Sequence, residues 1–172
     1  MVMVAAVQAT PVFIDREATT DKVCDLVKEA SAHGAELIVF PESFIPTYPD
    51  WVWRTPAWDD SAYMKLFYSQ AVEIPGPTVE RLAAAAAEAS AYVVIGVNER
   101  EGGTLYNTLL YFDPQGRLAQ RHRKLMPTGG ERVVWGMGDG SELGTVTTPF
   151  GVIGGLICWE NYMPLARAAI YA

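Results

Sequence analysis

The chain is predicted to adopt an α/β fold around a mixed sheet. Three features predict it: a β-α-β opening over residues 3–40, a further alternation of helix and strand up to Asn98, and a turn signal, Asp113-Pro114-Gln115-Gly116, between two strand-like runs. With 172 residues, 50% hydrophobic and 19% charged, the expected size is one globular domain or part of one. No repeat or linker divides residues 1–172.

Met3 to Ala9 is a short apolar run ended by Thr10-Pro11 and reads as a buried strand. Asp15 can cap a helix over about Arg16 to His33, because Ala18, Val23, Leu26, Val27 and Ala30 recur at helical spacing and Gly34 suits the stop. Glu36 to Phe40 is a second strand, halted at Pro41, and a helical connection between the two implies parallel pairing. Pro41 to Asp60 holds four prolines with Trp51, Trp53 and Trp58, so it forms no regular element and suits a pocket wall. Ser61 to Val72 and Thr78 to Ser90 read as helices, the second entered through Pro75-Gly76-Pro77, and Tyr92 to Asn98 returns to strand.

Thr104 to Asp113 and Arg117 to about Lys124 then form an antiparallel hairpin, which makes the sheet mixed. A glycine-rich loop, Gly129 to Gly144, precedes strands near Thr145 to Pro149 and Val152 to Cys158 and a last apolar helix from Asn161 or Tyr162. That helix reaches Ala172 without a glycine, proline or polar cap, the pattern expected of a chain cut within a longer domain.

The formal charge of −7, from 13 basic and 20 acidic side chains, argues against nucleic-acid or anionic-membrane partners. Cys24 and Cys158 are too few for a disulfide framework and form no metal-ligand spacing with His33 and His122. Met1 to Gln8 lacks the basic flank of a signal peptide, and the apolar stretch Leu82 to Val97 carries Glu88 and Ser90 and falls short of a membrane span. A cytoplasmic protein without metal is the expectation. Gly136 to Ser141 has neither the ending of a phosphate-binding loop nor dinucleotide spacing and is assigned to turn geometry.

Cys158 ends an apolar run and is followed by Trp159-Glu160-Asn161 and a helix, so its thiol is expected at a strand end beside a helix N-terminus. That position suits a nucleophile whose thiolate the helix stabilises; a buried core cysteine is the commoner fate of Cys in an apolar strand. Glu42, directly after another strand, is a candidate base; near apolar Phe40, Phe44 and Ile45 it would suit proton transfer around neutral pH, and otherwise it is a loop carboxylate. Lys124 shares an alternation face with Leu118, Gln120 and His122, which aims it inward to stabilise anionic charge unless the strand is a solvated face. Glu131 is a fourth candidate, with a surface-loop role as its alternative.

Four motifs together resemble the nitrilases within the carbon-nitrogen hydrolase superfamily. Phe40-Pro41-Glu42 is similar to that family's glutamate motif, His122 to Thr128 to its lysine motif, Cys158 to Arg167 to its nucleophile motif, and Glu131 to Ser141 to its loop bearing a second glutamate. The resemblance implies an α-β-β-α sandwich, of which residues 1–172 are about the N-terminal half of a single domain, with Glu42, Lys124 and Cys158 as a triad supported by Glu131. It implies hydrolysis of an organic nitrile through a cysteine thioimidate and thioester, with amidase activity or a catalytically silent fragment as alternatives. It further implies no cofactor and a homo-oligomer in the full-length form. Trp159-Glu160-Asn161 resembles nitrilases proper and favours nitriles over amides. Tyr48, Trp51, Trp159 and Glu160 are the expected substrate-binding residues; Tyr48, Trp51, Trp53 and Trp58 suit an aromatic-accepting pocket and equally suit core or subunit-contact anchors.

Overall fold

In the computed structural model, which describes residues 1–172, β1 (Val4–Ala6), β2 (Leu37–Val39) and β3 (Tyr92–Glu101) run parallel, and β4 (Thr104–Phe112) and β5 (Leu118–Arg123) continue the sheet antiparallel. The strand order is β1-β2-β3-β4-β5, with Leu37 opposite both Val4 and Tyr92. The expected β-α-β opening and mixed pairing are both present. The two N-terminal strands are shorter than the apolar runs that predict them, although the Val7 amide still donates to the Val39 carbonyl at 2.8 Å.

Strand alternation divides the apolar residues between two faces. Ile38, Val93, Ile95, Val97, Leu110 and Phe112 face a core shared with α1 (Arg16–Ala32) and α3 (Pro77–Ala89). Leu37, Val39, Val94, Leu109 and Tyr111 face the other way, toward Val146 and Ile153 of a hairpin formed by β6 (Thr145–Thr148) and β7 (Gly151–Gly154). β3 is buried almost throughout because both its faces are covered, and it is apolar from Tyr92 to Val97. The α/β layering is thus helices, five-stranded sheet, then a two-stranded second sheet. α2 (Ser61–Gln70) packs in a separate cluster of Ile14, Trp51, Phe67, Leu105 and Trp135.

Local signals explain the element ends. Asp15 caps α1 by accepting from the Ala18 amide at 2.9 Å, and Gly34 follows with φ +86°, a conformation that costs glycine nothing. The β4–β5 turn closes with Gly116 at φ +73°, and Asp113 Oδ1 accepts from the Gln115 and Arg117 amides.

The last segment differs from expectation. β7 stops at Gly154, residues 155–157 run on without a ladder partner, a 3-10 turn spans Cys158–Tyr162, and α4 (Pro164–Tyr171) starts only at Pro164, which fits the first helical position. No helix is long and apolar enough to cross a membrane.

Candidate active site

Glu42 sits just beyond β2, where the chain turns through Ser43 at φ +54°. The turn lies flat on β3: the Phe44 amide donates to the Gly96 carbonyl at 2.8 Å, and a Cβ on Gly96 would stand only 2.3 Å from the Ser43 nitrogen. Buried Asn98 secures the same loop, its Nδ2 donating to the Ile45 and Thr47 carbonyls and its Oδ1 accepting from Ser43 Oγ and Trp135 Nε1. Phe40, Phe44 and Ile45 belong to the main core, while the Glu42 carboxylate is taken up by polar partners. It accepts from Lys124 Nζ at 2.8 Å and Asn107 Nδ2 at 2.6 Å.

Lys124 leaves the end of β5 with its amide bound to the Asn107 carbonyl at 2.8 Å and its side chain buried. The alternation argument for an inward lysine therefore holds. Its Nζ donates to Glu42 Oε1 and to Glu131 Oε2, both at 2.8 Å. Burial alone would lower the Lys124 pKa, but the hydrogen bonds and charges of Glu131 and Glu42 outweigh it and raise it, keeping an ammonium there.

Glu131 is buried rather than on a surface loop. It lies in the 3-10 turn Gly129–Val133 and forms a capping box with Thr128, whose amide donates to Glu131 Oε2 at 2.6 Å. Tyr48 donates its hydroxyl to Glu131 Oε1 at 2.8 Å and accepts from Trp53 Nε1, which places Tyr48 beside the acidic pair. Burial, followed by the neighbouring carboxylates, pushes the Tyr48 phenol well above its usual value even though the Trp53 hydrogen bond opposes this.

Cys158 is exposed at φ +54°, a conformation that non-glycine residues seldom adopt, and it shares a cavity of about 500 Å³ with Glu42, Phe40, Leu109, Tyr111 and Ile157. Partial burial and then the charge of Glu42 raise its thiol pKa, and Lys124 opposes them. This corrects the expectation of a helix-stabilised thiolate: a 3-10 turn, not an α-helix, starts at Cys158, and α4 begins six residues further on.

Two expected substrate contacts are not available. Trp51 is buried, stacked on Tyr63 at 5.5 Å and edge-on to Phe67 at 5.2 Å, so its large apolar surface is used in the second core. Glu160 is 1% exposed and bonded to His122 and to the Leu125 and Ile157 amides. Trp159 is exposed, tilted against Tyr162 at 5.0 Å, and lines a separate cavity with Met126, Pro127 and Thr128 rather than the one that Glu42 and Cys158 share; Trp53 and Trp58 are exposed too. Asn107 was not among the expected residues. A lone amide on the strand face of Leu105, Leu109 and Tyr111 was its signal in the sequence.

A model of the carbon-nitrogen hydrolase family matches residues 3–172. The chain is 53% identical to an aliphatic nitrilase of Sinorhizobium fredii (strain HH103), over 97% of this chain and 56% of that protein. It is 48% identical to a nitrilase of Bacillus sp. (strain OxB-1), over 97% of this chain and 49% of that one. It thus spans about half the length of the curated relatives it matches. Among solved structures, an amidase from Nesterenkonia sp. superposes with a TM-score of 0.72 at 20% identity, covering 98% of this chain and 60% of that one. Saccharomyces cerevisiae Nit3, a member of branch 10 of the nitrilase superfamily, gives 0.73 at 22%, covering 99% and 62%. Motifs, layering and these likenesses agree that the chain belongs to the carbon-nitrogen hydrolase family.

Proposed function

We propose that the protein is a nitrilase, hydrolysing an organic nitrile to the carboxylic acid and ammonia, with Cys158 as nucleophile, Glu42 as base, and Lys124 and Glu131 as the supporting charges. The observation that carries this reading is the Lys124 ammonium held 2.8 Å from both Glu42 and Glu131 while Glu42 and Cys158 line one cavity. The names of the relatives at 48% and 53% identity support nitriles over amides as substrates.

In this mechanism Glu42 takes the thiol proton as Cys158 sulfur bonds to the nitrile carbon and passes it to the nitrogen, which leaves a thioimidate and a free carboxylate. A water molecule, deprotonated by Glu42, adds to that carbon; the tetrahedral intermediate expels ammonia and becomes a thioester. A second water releases the acid and returns the proton to sulfur. Lys124 stabilises negative charge on the substrate nitrogen and on the tetrahedral intermediates, and its burial makes that stabilisation large. Glu131 keeps Lys124 charged and oriented. The same reading takes a small nitrile as partner, needs no cofactor, and makes the longer protein a cytoplasmic homo-oligomer.

The test is ammonia release from aliphatic, aromatic and arylacetonitriles and from their amides. Nitrile-dependent ammonia is expected from the wild type and from Cys24→Ala, since Cys24 lies within α1, and none from Cys158→Ala. Turnover that survives Cys158→Ala removes the assignment, and turnover of amides alone replaces nitrilase by amidase.

A further inference from the structure

We infer that Glu160, gripped by His122, is a positioning residue that holds Cys158 opposite the Lys124–Glu42 pair; this rests on the proposed roles of those three residues. Residues 155–163 form no ladder with β5, and every hydrogen bond between them and residues 118–131 runs through the Glu160 carboxylate. Its Oε1 accepts from the Leu125 amide and its Oε2 from the Ile157 amide, both at 2.6 Å. His122 Nε2 lies 3.2 and 3.0 Å from the two oxygens.

The two amides belong to the immediate neighbours of reacting residues. Leu125 follows Lys124, and Ile157 precedes Cys158. One carboxylate therefore sets the separation of the two chain segments that bear the ammonium and the thiol. His122 extends the brace into the sheet, because it lies on β5 opposite Leu109. Within the 3-10 turn the Glu160 amide also donates to the Ile157 carbonyl at 3.1 Å, so Glu160 clasps Ile157 from both sides. That clasp over-determines a turn in which Cys158 stands at φ +54°, a backbone state that persists only when its surroundings enforce it.

The chemistry suits a fixed brace. Glu160 and His122 are 1% and 2% exposed, and a carboxylate removed from water survives only when its oxygens are occupied. Burial by itself would raise the Glu160 carboxyl, but the His122 bond and the two amides outweigh it and hold it below the ordinary carboxylate value. Two backbone donors with an imidazole donor need an acceptor-only group with two oxygens. Glutamine at 160 would turn an NH₂ toward one of those amides.

The experiment follows the pH dependence of Cys158 alkylation by iodoacetamide in a Cys24→Ala background, where turnover is not required. The charged groups around the thiol are Glu42 and Glu131, which raise its midpoint, and Lys124, which lowers it. Glu160→Gln and His122→Ala are expected to free Cys158 from Glu42 and partial burial, lowering the alkylation midpoint toward that of an unperturbed thiol. On a nitrile substrate they should lower kcat on the order of 100-fold with a smaller change in KM. His122→Gln, which still offers an N–H to Glu160, should restore the wild-type midpoint and most of kcat.

A wild-type midpoint in folded Glu160→Gln or His122→Ala overturns the inference, as does His122→Gln behaving like His122→Ala. If Glu160→Gln fails to fold, the two His122 variants decide. Absence of nitrile turnover in the wild type counts against the nitrilase reading alone, and the alkylation midpoints still judge the brace.

Discussion

Asn107 Nδ2 donates to Glu42 Oε1 at 2.6 Å, the same oxygen that accepts from Lys124, and the Asn107 carbonyl accepts from the Lys124 amide. One β4 residue therefore orients the candidate base with its side chain and the candidate ammonium with its backbone. A hydrogen bond to a charged acceptor is worth roughly 1.5–3 kcal/mol. Asn107→Ala should accordingly reduce kcat/KM by between about 10- and 100-fold at unchanged secondary structure, and Asn107→Asp should do worse by facing Glu42 with a like charge. Steady-state kinetics on a nitrile would check this, and wild-type values for Asn107→Ala would exclude the orienting role.

Glu99 provides a different kind of support. Buried on β3, it accepts from Thr108 Oγ1 at 2.7 Å, Arg121 Nη1 at 2.9 Å and Arg123 Nε at 2.9 Å, tying β5 across β4 to the sheet centre. Glu99→Gln should cost roughly 3 kcal/mol, the low end for breaking a buried pair, because Arg121 and Arg123 are 25% and 16% exposed and keep part of their hydration. Equilibrium urea unfolding measures this directly. A loss under about 0.5 kcal/mol would mean that the network contributes little beyond an ordinary surface pair.

Trp51 separates packing from binding. Its indole nitrogen is buried without a partner, so Trp51→Phe removes an unsatisfied donor while keeping an aromatic ring beside Phe67 and Tyr63. Stability should change by less than about 1 kcal/mol, whereas Trp51→Ala should cost about 3–5 kcal/mol. KM for aromatic nitriles should not respond to Trp51→Phe. A several-fold rise in KM with unchanged stability would return Trp51 to the substrate pocket.

Acid stability follows from Glu160. Its folded carboxyl lies below the ordinary value of 4.5, so the folded state binds fewer protons than the unfolded chain as the pH falls past that value. The stabilisation is complete above 4.5 and is lost as the pH falls through the folded pKa. Urea midpoints should drop more steeply between about pH 5 and pH 3 for the wild type than for Glu160→Gln, which does not titrate there. Equal slopes would show that other carboxylates dominate the acid limb.

The sequence by itself determined the alternation of helices and strands, the parallel opening, the hairpin at Asp113 to Gly116, and the residues that meet around Lys124. These were legible because apolar periodicity, caps and turn residues act over a few positions, and because the motifs around Glu42, Lys124, Glu131 and Cys158 are each contiguous. Only the tertiary structure decided which polar neighbours serve the site. Glu160 reads along the chain as a side chain next to the thiol, yet folding turns it inward to His122, 38 residues away. Trp51 joins a core that also takes residues from α2 and from near Trp135, and Asn107 reaches Glu42 across 65 positions. Such partners are chosen by burial: once a carboxylate, amide or indole leaves water, the donors and rings that the packed sheet brings beside it determine its role, and no local pattern records them.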